Sequence, residues 1–96
     1  MFARVSQILG LPKQLETAVP VLQEGLDQTQ GLAGFEGAYL LVDRDEGKIM
    51  ALTFWNNDHD LNSSAPRAEA IVGQAAERAG ATMPPQVQSY EVLLEI

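Results

Sequence analysis

The sequence predicts a single α+β domain with the element order βαββαβ. Three observations carry this. Alternation marks strands at residues 2–9 and 87–96, two apolar runs at 34–43 and 48–56 are joined by a tight turn into a hairpin, and two stretches of helical spacing separate the hairpin from the outer strands. A chain of 96 residues has room for one core, burying roughly 60–70% of the surface its unfolded form exposes. The apolar share of 46%, with 20% charged residues and no polar or Pro/Gly/Ser-rich tract, fits an ordinary globular domain rather than a linker or a disordered segment.

The first strand alternates Ala3, Val5, Gln7 and Leu9 against Phe2, Arg4, Ser6 and Ile8, and Gly10 ends it. Pro12 stands where a first helical residue belongs, because its missing N–H is not needed there. Leu15, Ala18, Val19, Leu22 and Leu26 then follow at helical spacing, with Pro20 on the solvent side of the wheel. Gly31 and Gly34 mark the exit. In the hairpin, Asp43 faces Lys48 across Arg44-Asp45-Glu46-Gly47. One face carries Phe35, Tyr39, Leu41, Met50, Leu52 and Phe54; the other carries Ala38, Leu40, Val42, Ile49, Ala51, Thr53 and Trp55. A second helical pattern returns Leu61, Ala65, Ala68, Val72, Ala75 and Ala79 to one side, with Pro66 as a kink or a restart, and Gly80 stops it. Pro84-Pro85 leads into the last strand, which has Tyr90, Val92, Leu94 and Ile96 on one side.

This order is that of a ferredoxin-like, split βαβ fold: a four-stranded antiparallel sheet with two helices on one face. Both faces of the hairpin are apolar, so the sheet needs two coverings. The bulkier set, Phe35, Tyr39, Leu41, Leu52 and Phe54 with Ala3, Val5, Tyr90, Val92 and Leu94, is expected to meet the helices. The face with Arg4, Ser6, Glu36, Ala38, Leu40, Val42, Ile49, Ala51, Thr53, Trp55, Ser89, Glu91 and Leu93 is expected to meet a second copy, as a homodimer.

The formal charge of −7, with six scattered Lys and Arg residues, argues against nucleic acid and anionic lipid as partners, and no apolar run reaches the length of a membrane span. The absence of cysteine removes thiolate chemistry and suits a reducing cytoplasm. Asn56-Asn57-Asp58-His59-Asp60 combines metal-ligand residue types, but consecutive residues do not converge on one ion, and Asn and Asp are ordinary helix caps. No phosphate loop, zinc spacing or nucleophilic triad is present.

Ala3-Arg4-Val5 in the first strand, Gly34-Phe35-Glu36-Gly37-Ala38-Tyr39 in the second, the turn from Asp43 to Gly47, Leu52-Thr53-Phe54-Trp55-Asn56, and Asp60-Leu61 at the second helix together resemble the antibiotic biosynthesis monooxygenase-like family. The resemblance implies a dimeric α+β barrel whose two sheets face each other around a small-molecule cavity. Some members oxidise aromatic polyketide-like substrates with O₂ and neither metal nor flavin; others degrade haem. The haem-degrading branch uses a His on the second helix, a Trp on the third strand and an Asn on the first. Here Trp55 matches the Trp, but the first strand offers Ser6 and Gln7, and His59 falls at the very start of the helix, on the side away from Leu61.

The candidate ligand-binding residues are accordingly Arg4, Ser6, Glu36, Thr53, Trp55, Asn56 and Glu91, around a small apolar or aromatic ligand, with no cofactor and no metal. Trp55 reads either as a cavity wall or as a packing residue. Arg4 with Glu36 and Glu91 reads either as a ligand-orienting cluster or as ion pairs across the sheet. The enzyme implied by the resemblance stands beside a second reading, a non-catalytic dimeric interaction or sensory module.

Overall fold

The computed structural model describes residues Met1–Ile96. Its elements follow the expected order: β1 (Phe2–Leu9), a 3-10 turn at Pro12–Gln14 running into α1 (Leu15–Thr29), β2 (Phe35–Asp43), β3 (Lys48–Trp55), α2 (Asp58–Ser63), α3 (Ala65–Arg78) and β4 (Gln86–Glu91). The strands form one antiparallel sheet in the order β2-β3-β1-β4, with the helices on one face.

The hairpin has the register read from the sequence, with Asp43 opposite Lys48 and Tyr39 opposite Leu52. At its tip Gly47 takes φ +70, and a side chain there would come within 2.4 Å of the Gly10 carbonyl oxygen. Only glycine fits that conformation and that approach. The Gly10 N–H in turn donates to the Gly47 carbonyl at 2.8 Å, tying the hairpin tip to the end of β1.

In α1 the predicted stripe is inward: Leu15, Ala18 and Leu22 are buried and Val19 and Leu26 half-buried, while Pro20 is exposed. The second helical pattern is two helices in phase. Asn57 caps α2, its side chain accepting from the Asp60 N–H at 2.8 Å, and Pro66 opens α3 just after Ser64, so the proline is a restart rather than a kink. The core is Ile8, Leu15, Ala18, Leu22, Ile49, Val72, Ala75, Ala76 and Ala79, with Leu40 and Val42 packed against it.

The face turned to the helices is the opposite of the one expected. Arg4, Ser6, Ile8, Ile49, Ala51, Thr53 and Trp55 are buried beneath α1 and α3, whereas Tyr39, Leu41 and Tyr90 are 63%, 47% and 49% exposed on the far side. Two-residue periodicity defines two faces but is blind to which one the helices cover; that is decided by the hand of the β1–α1–β2 crossover. Bulk was the wrong criterion because α1 brings its own large residues inward and lies close to α3, leaving room for Ser6, Ala51 and Thr53 beneath them.

Two smaller corrections concern the ends. A bulge between Phe35 and Gly37 sets Phe35 opposite Trp55, where the rings meet edge to face at 5.7 Å and 82°, and leaves Glu36 exposed. The last strand ends at Glu91. Beyond it Val92 still donates to the Met1 carbonyl at 2.9 Å, but Leu94, expected to face the core, is exposed, as are Leu93 and Ile96.

Candidate functional site

A cavity of ≈ 30 Å³ lies between the sheet and the helices, room for about two water molecules. Its floor is Arg4 and Ser6 of β1 with Ala51, Thr53 and Trp55 of β3; its roof comes from Leu22, Gly25, Leu26 and Thr29 of α1 and from Ser64 and the first two turns of α3. It is open here because Ser6, Ala51 and Thr53 under the roof are small, and because α1 presents a glycine, Gly25, at its crossing with Ile71.

Arg4 is the unusual member, at only 5% exposure. One terminal nitrogen donates to the Ser64 hydroxyl at 2.8 Å and the other to the Leu61 carbonyl, while the Ser64 hydroxyl itself donates to that carbonyl at 2.7 Å. The chain's one ion pair joins Arg44 to Glu16 at the surface, so Arg4 has no carboxylate partner. Burial lowers its pKa, and the more distant charge of Glu69 opposes that. A guanidinium titrates so high that it remains a cation at neutral pH.

Trp55 is fully buried. Its indole N–H donates to Thr53 Oγ1 at 2.9 Å, a partner two residues along the same strand face, and Phe35 packs against its ring. The residue lines the cavity and is packed inside the subunit rather than at the rim of an interface.

Of the seven sequence candidates, Arg4, Ser6, Thr53 and Trp55 come together, though inside one subunit beneath the helices rather than on a face shared with a second copy. The other three do not join them. Glu36 is exposed and borders a shallow groove on the outer face with Tyr39 and Phe54. Asn56 is exposed, its backbone N–H donating to the Gly34 carbonyl at 2.7 Å. Glu91 is exposed at the end of β4. Neither glutamate reaches Arg4. His59 is exposed in the first turn of α2 and is not among the residues around the cavity. Sequence reasoning missed Gly25, Ser64 and Arg67. A glycine inside a helical pattern is a detectable sign of close approach; the partners of Arg4 lie 57 and 60 residues away and leave no local mark.

No protein-family model matches the chain. An uncharacterised protein of Mycobacterium tuberculosis, Rv2557, is 27% identical over 93 residues, 96% of this chain, and the chain spans 41% of the length of that relative. Among solved structures, a monooxygenase of Streptomyces coelicolor from the gene ActVA-Orf6, in complex with Nanaomycin D, superposes with a TM-score of 0.76 at 18% identity, covering 99% of this chain and 89% of that one. Rv0793 from Mycobacterium tuberculosis gives 0.77 at 18%, covering 98% and 96%. A further antibiotic biosynthesis monooxygenase gives 0.73 at 14%, covering 98% and 100%. The class is thus an α+β sheet with a cavity under its helices, and the fold is that of the antibiotic biosynthesis monooxygenases. No helix is long and apolar enough to cross a membrane.

Proposed function

We propose that the chain binds a small apolar or aromatic organic molecule in the cavity over β1 and β3 and acts on it as a cofactor-independent monooxygenase, working as a homodimer. The observation that carries this reading is the juxtaposition of a buried indole and a buried guanidinium without a carboxylate partner in one cavity. The fold supports it, since a monooxygenase of the same fold holds an organic ligand, Nanaomycin D.

Oxygenation without a bound cofactor requires a substrate that supplies the electrons itself. For a phenolic ring, one atom of O₂ replaces a ring hydrogen as a quinone carbonyl and the other leaves as water, the ring being oxidised by the four electrons that O₂ gains. The protein's part is to hold the ring, favour its anion and exclude bulk water. Arg4 is the cation that would offset a negative charge on the substrate, Trp55 is the wall against the ring, and Thr53 fixes the indole through their hydrogen bond. The ≈ 30 Å³ of open space is far below the roughly 300 Å³ of small ligand pockets. A ring therefore enters only if α1 and α3 part at the Gly25–Ile71 crossing.

That small volume is also the observation that favours the second reading, a non-catalytic interaction module whose interior is simply filled. The chain's only tryptophan separates the two readings, because its emission reports on the cavity. Saturable quenching by nanaomycin D at one molecule per chain, with O₂ uptake on 1-naphthol above the rate in buffer, is the expected result. Quenching without O₂ uptake leaves a binding module, and no saturable quenching refutes a ligand cavity.

The dimer is argued from the outer sheet face. Tyr39, Leu41 and Tyr90 are exposed there, and the half-buried Val5, Met50, Leu52 and Phe54 connect them, with Tyr39 and Phe54 stacked edge to face at 6.1 Å. A contiguous apolar sheet face of this kind is covered in stable proteins, and a second copy offers the self-complementary partner.

A further inference from the structure

Arg4 is a cation with no anion in contact with it, Glu69 acting on it only from beyond ion-pair distance. Burying a guanidinium is costly unless a negative group compensates, and its two protein acceptors, the Ser64 hydroxyl and the Leu61 carbonyl, are both neutral. A guanidinium has five N–H bonds; one bond on each of the three nitrogens is left without a protein acceptor.

The distribution of charge points the same way. The chain has 13 Asp and Glu residues against six Lys and Arg. None of the acidic residues borders the cavity, while two of the six basic ones, Arg4 and the exposed Arg67, do. In so acidic a chain this is the reverse of what a randomly placed cavity would show. The remaining walls are mainly apolar, with Leu22, Leu26, Ile71 and Trp55 facing the guanidinium's compartment. A free inorganic oxyanion would leave its other oxygens against those walls, whereas an organic acid would turn its ring or chain toward them.

The geometry points to an organic carboxylate as the ligand of this cavity, its two oxygens gripped by the free N–H bonds of Arg4 and its apolar body against Trp55, with Arg67 at the mouth as an entry charge. This rests on the reading of the cavity as a ligand site and narrows its ligand class. Arg4 is then the specificity-determining residue: neutral analogues of the same shape would leave its charge uncompensated.

The test is isothermal titration of the purified protein with 2-naphthoate and with its neutral isostere 2-naphthamide. Charge-assisted bidentate bonding predicts that the carboxylate binds about tenfold more tightly or better. Arg4→Gln should bring the two ligands level by weakening the carboxylate alone, and Arg67→Gln should keep most of the preference. Equal affinities in the native protein, a preference that survives Arg4→Gln, or one abolished by Arg67→Gln instead would each overturn the assignment while leaving the ligand cavity standing. If neither compound binds, the cavity reading falls and this inference with it. Should Arg4→Gln fail to fold by circular dichroism, the comparison of the two probes on the native protein and on Arg67→Gln still decides.

Discussion

Gly25 is where helix propensity and packing act against each other, and the structure says which prevails. In an exposed helix interior, replacing Gly with Ala gains about 1 kcal/mol. Here a Cβ would stand 2.5 Å from Ile71 Cγ2, 2.9 Å from Cδ1 and 3.1 Å from Cγ1. Cγ2 is bonded directly to the Ile71 Cβ and moves only with χ1, which a helix confines to one strongly preferred rotamer in a β-branched residue, so the clash belongs among overpacked sites, which cost roughly 1–3 kcal/mol. Gly25→Ala should therefore destabilise by a net of about 1 kcal/mol, lowering the midpoint of thermal unfolding by roughly 4–8 °C for a domain of this size. The sharper expectation concerns sign. Ile71→Ala removes all three offending atoms, and in that background Gly25→Ala should stabilise by about 0.5–1 kcal/mol, since only the propensity gain remains. Urea melts followed by Trp55 emission measure all four members of the cycle. The same sign in both backgrounds would refute the α1–α3 contact, and with it the roof of the cavity.

Trp55→Phe should cost about 1–2 kcal/mol in domain stability, because it removes the bond to Thr53 Oγ1 and shrinks a fully buried ring; a loss below a few tenths in a denaturant melt followed by circular dichroism would deny that ring a core role. Asn57→Ala deletes the cap of a six-residue helix and is expected to lower stability by about 1 kcal/mol in the same melt, whereas a neutral outcome would mean that α2 is held by Leu61 alone. Leu41→Glu places a charge in the exposed apolar face and should convert a dimer to a folded monomer in size-exclusion chromatography with light scattering; an unchanged dimer would locate the interface elsewhere.

How much of this was legible in the chain depends on the range of the interaction concerned. Local signals carried most of the element order: alternation and the two apolar runs located the strands, although the last ends at Glu91 rather than Ile96, Pro12 and the Leu15–Leu22 stripe located α1, the turn ending at Gly47 fixed the hairpin register, and the Asn56–Asp60 run read as a helix cap. Four of the seven site candidates, Arg4, Ser6, Thr53 and Trp55, do meet in one cavity, because a shared strand face keeps neighbouring positions together wherever that face is turned. Glu36 and Glu91 did not join Arg4: a bulge displaces the first, and the second lies exposed at the end of β4.

By itself, then, the sequence determined the element order, the antiparallel hairpin and the division of each strand into two faces, all of which follow from backbone periodicity and turn chemistry over a few residues. Only the tertiary structure decided which face lies under the helices, that Arg4 ends beside Ser64 and Leu61 rather than beside a carboxylate, and that a cavity remains between them. Those outcomes depend on the hand of a crossover and on how closely two helices approach at a single glycine, and neither quantity is written in any one stretch of the chain.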